Sequence, residues 1–140
     1  MCLQIKKYGL FFAWIIALIA TLGSLFASEI QHFPVCILCW YQRICIYPLV
    51  ILLGMAAYRE DNRIVPYVLP FPVIGFCLAT YQYLEQMIPG FAPIRVCTSE
   101  IPCDTIHFKI AGFVTLPLLS ILASVLIIIF LWMAKNQKID

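Results

Sequence analysis

The chain has 140 residues, 64% of them hydrophobic and only 11% charged, with a formal net charge of +2. That is too little polar surface to cover a soluble domain, so the composition excludes a water-soluble globular fold and requires an integral membrane protein. The small positive charge reflects how a membrane chain distributes its basic residues and gives no support to nucleic-acid binding.

Four apolar stretches follow one another, each near the ~20 residues a helix needs to cross hydrocarbon. The first, Leu10 to Ser28, follows Lys6 and Lys7 and resembles a secretory signal. Its length and the lack of a small-residue cleavage site before Glu29 favour a retained helix. The second runs from Trp40 to Tyr58, the third from Ile64 to Leu84 and the fourth from Ile110 to Ala134. Pro66, Pro70 and Pro72 cluster near the start of the third, which makes it the least regular helix expected. Four spans consume most of the chain, leaving short loops, tails and one longer connection. The expected fold is an all-α four-helix membrane bundle forming one domain over residues 1–140.

Basic residues in short loops are retained on the cytoplasmic side. Lys6 and Lys7 precede the first span, Arg59 and Arg63 separate the second from the third, and Lys135 and Lys138 follow the fourth. Both termini are therefore expected in the cytoplasm. Arg95 and Lys109 fall on the opposite side, among Glu29, Glu85, Glu100 and Asp104.

Four of the seven cysteines, Cys36, Cys39, Cys97 and Cys103, fall on that outer side, where disulfides persist. Cys2, Cys45 and Cys77 fall in cytosolic or membrane-embedded positions and read as incidental thiols or small hydrophobes. Cys36 and Cys39 form a CxxC pair just after Pro34, which suits a helix start. Unpaired N–H groups and the helix dipole at such a start stabilise a thiolate, the form that attacks a disulfide. Arg43 lies four residues beyond Cys39, on the same helical face and about 6 Å deeper, with Gln42 beside it. A buried arginine is costly in a bilayer unless it is paired. It could support a thiolate, hydrogen-bond a carbonyl oxygen, or anchor the helix at the interface with Trp40 and Tyr41.

The other pair, Cys97 and Cys103, lies in the long polar connection from Glu85 to Lys109, after an expected extended stretch over Pro93 to Cys97. Alone, such a pair also suits a disulfide that staples the loop. Two pairs on one side of a small bundle suggest a relay, one pair meeting a soluble partner and one a lipid-soluble acceptor. Tyr81, Gln82, Tyr83 and Met87 suit either the wall of a pocket beside the CxxC or an aromatic interface belt.

The string Cys36-Ile37-Leu38-Cys39-Trp40-Tyr41-Gln42-Arg43, four spans and a second cysteine pair between the third and fourth together resemble the DsbB family of disulfide oxidoreductases. The likeness is greatest to its short BdbC-like members. It covers nearly the whole chain, although the longer members space the loop pair more widely than the five residues found here. The resemblance implies a bacterial plasma-membrane enzyme that re-oxidises a thioredoxin-like carrier (DsbA/BdbD-like). The electrons would pass to a membrane quinone, menaquinone or ubiquinone. It further implies that Cys97 forms the mixed disulfide with the carrier and that Cys103 is its pair partner. Cys39 would be the thiol facing the quinone, Cys36 its partner, and Arg43 the support for quinone and thiolate. Gln42 would serve as a hydrogen-bonding neighbour at the same site.

Two alternatives remain. Vitamin K epoxide reductase-like proteins also couple four helices, paired thiols and a quinone, but their membrane-edge CxxC follows the loop cysteines, whereas Cys36 and Cys39 come first here. A zinc-binding scaffold would use the four outer cysteines, with His32 or His107. That reading gives Gln42 and Arg43 no role.

Overall fold

A computed structural model describes residues 8–30, 32, 37–88, 109–110 and 114–136. Cys36, Cys97, Cys103, His107 and the expected extended stretch over Pro93 to Cys97 lie outside the described residues. Helix α1 covers Gly9–Leu25 and ends in a π-helical turn at Phe26–Ile30. Helix α2 covers Ile37–Arg59 and runs on through Pro48. A 3-10 turn at Asn62–Ile64, a single turn α3 at Val65–Val68 and helix α4 at Pro70–Met87 make up the third span. Helix α5 covers Leu116–Asn136. Four helical segments, Gly9–Ile30, Ile37–Arg59, Asn62–Met87 and Pro117–Asn136, are long and apolar enough to cross a membrane.

The second span begins three residues earlier than expected, so Cys39 lies within its first turn. The fourth begins later. Lys109–Ile110 pairs antiparallel with Val114–Thr115, with Lys109 opposite Thr115, and helix starts only at Leu116. Ile110 to Thr115 is as apolar as a membrane helix, but Pro117 suits only the first turn, where its missing N–H leaves no bond unmade. The third span is broken near its start, as its prolines predict. Pro66 and Pro70 open successive helical pieces instead of interrupting one.

Each long helix packs mainly against two others, in the cyclic order α1, α2, α4, α5. In lipid the drive for this is close packing, which small residues permit. Gly9 lies so close to α5 that an added Cβ would stand 2.9 Å from the Phe130 carbonyl oxygen and 3.2 Å from the Ala134 Cβ. Gly54 similarly receives the edge of Trp14, and the rings of Phe12 and Phe130 stack with centroids 5.5 Å apart. Ala13, Ala17, Ala56, Ala79 and Ala134 are buried along the same seams. Large apolar side chains such as Ile19, Ile44, Ile51 and Trp132 face outward, as expected of a lipid-covered surface.

Helix α2 closes in a Schellman motif. Glu60 adopts a left-handed conformation (φ 51°), its N–H donates to Ala57 O, and Asp61 N–H donates to Ala56 O. Asp61 Oδ1 then accepts from Arg63 N–H at 3.0 Å, which turns the chain directly into the third span. These contacts place the start of α1, the α2–α3 turn and the end of α5 at one end of the bundle. Cys39, Arg43 and the end of α4 lie at the other.

The two ends differ in chemistry. Toward the Gly9 end the core consists of Leu10, Ala13, Leu49, Leu53, Ala56, Val65, Val68, Ile127 and Leu131, with no polar side chain among them. Toward the Cys39 end, Gln42, Gln82 and Ser124 are buried.

Candidate functional site

Cys39 is the third residue of α2, in the turn whose backbone N–H groups have no intrahelical partner. Its thiol is half-buried against α4. The antiparallel packing of α2 on α4 brings Gln82, near the end of α4, beside it. Gln82 Nε2 donates to Cys39 Sγ at 3.4 Å, and Gln82 Oε1 lies 3.8 Å from the same sulfur, within reach of its S–H. The same Oε1 accepts from Gln42 Nε2 at 2.7 Å. Gln42 and Gln82 are only 7% and 3% exposed, so the pair is a buried amide bridge between helices. Both amides would be costly in a membrane interior without such partners.

Arg43 turns toward α1. Its Nε donates to Ser24 Oγ at 2.9 Å and its Nη2 donates to the Ser24 carbonyl oxygen at 3.0 Å. The guanidinium also lies over the Trp40 ring, 5.4 Å from its centroid. Ser24 immediately precedes the α-to-π transition at the end of α1, where the regular helical hydrogen-bond pattern gives way. Cys39 and Arg43 therefore occupy successive turns of one helix, with the described hydrogen-bond partner of the thiol on α4 and that of the guanidinium on α1.

The structure thus brings Cys39, Gln42 and Gln82 together and sets Arg43 one turn inward, against Ser24. Gln82, grouped by sequence with possible pocket or belt residues, separates from Tyr81, Tyr83 and Met87 by its burial and its bond to sulfur. Its signal in the sequence is register: Pro72, Gly75, Ala79 and Gln82 form the buried stripe of α4. Ser24 carried no such signal, because a serine after a glycine in an apolar run does not reveal an arginine partner 19 residues away.

Deeper in the same half, the side-chain oxygens of Thr21, Tyr47, Ser120 and Ser124 are buried with no hydrogen-bond partner among the described residues. Cys45 is buried with its Cβ beside Gly75, and Cys77 is exposed on the bundle surface; neither joins the Cys39 cluster. Among the described residues no three His, Cys, Asp or Glu side chains converge as a metal site. His32 is exposed, with a left-handed backbone (φ 54°).

Residues 6–134 match the family model described as disulfide bond formation protein DsbB. The chain is 60% identical over 131 residues to the "Probable disulfide formation protein" of Coxiella burnetii (strain RSA 493 / Nine Mile phase I), covering 93% of this chain and 89% of that one. It is 48% identical over 129 residues to "Disulfide bond formation protein C" of Bacillus subtilis (strain 168), covering 92% and 94% of the two chains. A "Probable disulfide formation protein C 1" of Bacillus anthracis is 42% identical over 133 residues, covering 95% and 96%. No solved structure matches the chain significantly.

Proposed function

Because the chain belongs to the DsbB family of disulfide bond formation proteins and is accordingly a membrane thiol–disulfide oxidoreductase, we propose that it re-oxidises a thioredoxin-like dithiol carrier outside the cytoplasm. The electrons then pass to a membrane quinone, menaquinone or ubiquinone. Supporting this reading above all is the placement of Cys39, a thiol in the first turn of a membrane helix, in contact with a buried amide. It stands at the bundle end opposite Arg59, Arg63 and Lys135. By the preference of basic residues for the cytoplasm, those three residues orient the cysteine end outward from a bacterial plasma membrane.

In this mechanism the carrier's thiolate attacks Cys97 Sγ. The Cys97–Cys103 bond breaks, and Cys103 leaves as a thiolate. The carrier's second thiolate displaces Cys97, so the carrier keeps a disulfide and the loop pair holds two electrons. A loop thiolate next attacks Cys36 in the Cys36–Cys39 disulfide, and Cys39 departs with the electron pair. The second loop thiolate displaces Cys36 and restores the loop disulfide. Re-closing the Cys36–Cys39 bond releases two electrons and two protons, and accepting them is the chemistry that a bound quinone supplies.

The residues at this end fit such a ligand. Trp40 and Tyr41 are about half exposed beside Cys39 and offer flat apolar surface to a ring. Arg43 commits two of its five N–H groups to Ser24, and the others are donors suited to a quinone carbonyl. Gln42 adds a buried amide one turn in from Cys39.

The test is capture of the carrier. A thioredoxin-like carrier reduced to its single attacking cysteine, added to spheroplasts that hold the full-length protein, should form a reductant-sensitive adduct. The Cys97→Ser variant should form none. An adduct that survives Cys97→Ser, or one that needs permeabilised membranes, would overturn the assigned role or the orientation.

A further inference from the structure

We propose that Gln82 is a catalytic residue that stabilises the Cys39 thiolate through its amide N–H, and that Gln42 is the positioning residue that turns this amide the right way. The inference rests on the reading of Cys39 as the redox-active thiol and adds a residue from another helix to that site.

The geometry assigns each end of the Gln82 amide. Its Oε1 is taken by Gln42 Nε2 at 2.7 Å, the shortest bond in the cluster. Reversing the Gln82 amide alone would set two N–H donors against each other in a buried site, so the Gln42 bond keeps Gln82 Nε2 as the donor to Cys39 Sγ at 3.4 Å. The protonated sulfur is served as well, since Oε1 stands 3.8 Å away as an acceptor for S–H. Gln82 therefore meets the sulfur in both protonation states. The two contacts are unequal in strength, because a hydrogen bond to an ionised partner is roughly twice as strong as a neutral one. The N–H contact acts on the anion, beside the unpaired N–H groups of the α2 first turn.

This matters at the step where Cys39 is the leaving group. When a loop thiolate forms its bond to Cys36 Sγ, the Cys36–Cys39 bond breaks and Cys39 takes both bonding electrons. A better-stabilised leaving thiolate departs faster. No oxidant beyond the disulfide itself enters this exchange.

The test is the pH profile of Cys39 alkylation by iodoacetamide. It uses the purified full-length protein in detergent with Cys36→Ser as background, read by mass spectrometry of the Cys39 peptide. Gln82→Met keeps the shape of the side chain and removes both polar ends. It should move the profile toward higher pH and slow alkylation at pH 7 about tenfold, the effect of one lost charge-assisted bond. Gln82→Glu should move it further, by setting a carboxylate beside the sulfur. Gln42→Leu, which removes the 2.7 Å bond that orients the Gln82 amide, should give a smaller shift in the same direction. Thermal unfolding of each variant reports whether the bundle is intact, and Gln42→Leu keeps the question open to test if Gln82→Met does not fold. Unchanged profiles in folded Gln82→Met or Gln42→Leu protein would overturn the inference. The predicted shifts together with no turnover of carrier and quinone by the wild type would support the Gln82 contact while removing the function proposed for Cys39.

Discussion

Arg43 shows how a charge is carried at the edge of a membrane bundle. One guanidinium face meets the Ser24 hydroxyl and carbonyl, and Trp40 covers the cation. Removing the side chain should therefore have two separable effects. Arg43→Ala should lower stability in detergent by about 1–2 kcal/mol, the upper range for polar contacts between membrane helices. Ser24→Ala keeps the carbonyl acceptor and should lower it by less; thermal unfolding measures both. On activity, Arg43→Ala should weaken quinone reduction more than exchange with the carrier. Equal loss of both rates would count against the quinone-binding role proposed for it. Sequence alone leaves three readings of this residue open, and the geometry adds a contact that none of them named, the pair of bonds to Ser24 on α1.

At the scale of elements, the bundle is held by helices that approach closely at glycine and alanine. Gly9→Ala would drive its Cβ onto the Phe130 carbonyl, so α1 and α5 must separate, and stability should fall by about 1–3 kcal/mol. Gly23 has nothing within 4 Å of an added Cβ, so Gly23→Ala should be neutral or stabilising, alanine being the better helix former by up to about 1 kcal/mol. Thermal unfolding of the two variants side by side decides whether close packing or helix propensity governs. The four spans were legible in the sequence because twenty apolar residues in a row have few other fates. Their inner faces were not, since isoleucine and leucine serve equally well against lipid and against a neighbouring helix. Small residues and amides mark the seam more clearly, as Gly75, Ala79 and Gln82 do on α4. Hydropathy also places the start of α5 too early: Ile110 to Thr115 is as apolar as a helix, yet Lys109–Ile110 pairs with Val114–Thr115 and the helix begins at Leu116, just before Pro117. The place of Cys39 in a first helical turn was legible because Pro34 and the cysteine spacing act locally. The bonds from Gln82 to Cys39 and from Arg43 to Ser24 were not, because they depend on which helices become neighbours.

The whole molecule is a bundle with two unlike halves. Among the described residues the core around Gly9, Leu53 and Leu131 is apolar, while around Cys39 it carries buried amides and hydroxyls. The polar half is where a membrane enzyme can hold a thiolate and a ligand with carbonyl oxygens, and the apolar half holds the helices in register. The most direct test of this account is quinone reduction by the purified protein in detergent, driven by a reduced thioredoxin-like carrier. Wild-type protein should turn over, and Cys39→Ser and Cys97→Ser should each abolish turnover. Turnover that persists in either variant, or its absence from wild type across several carriers and quinones, would contradict the relay.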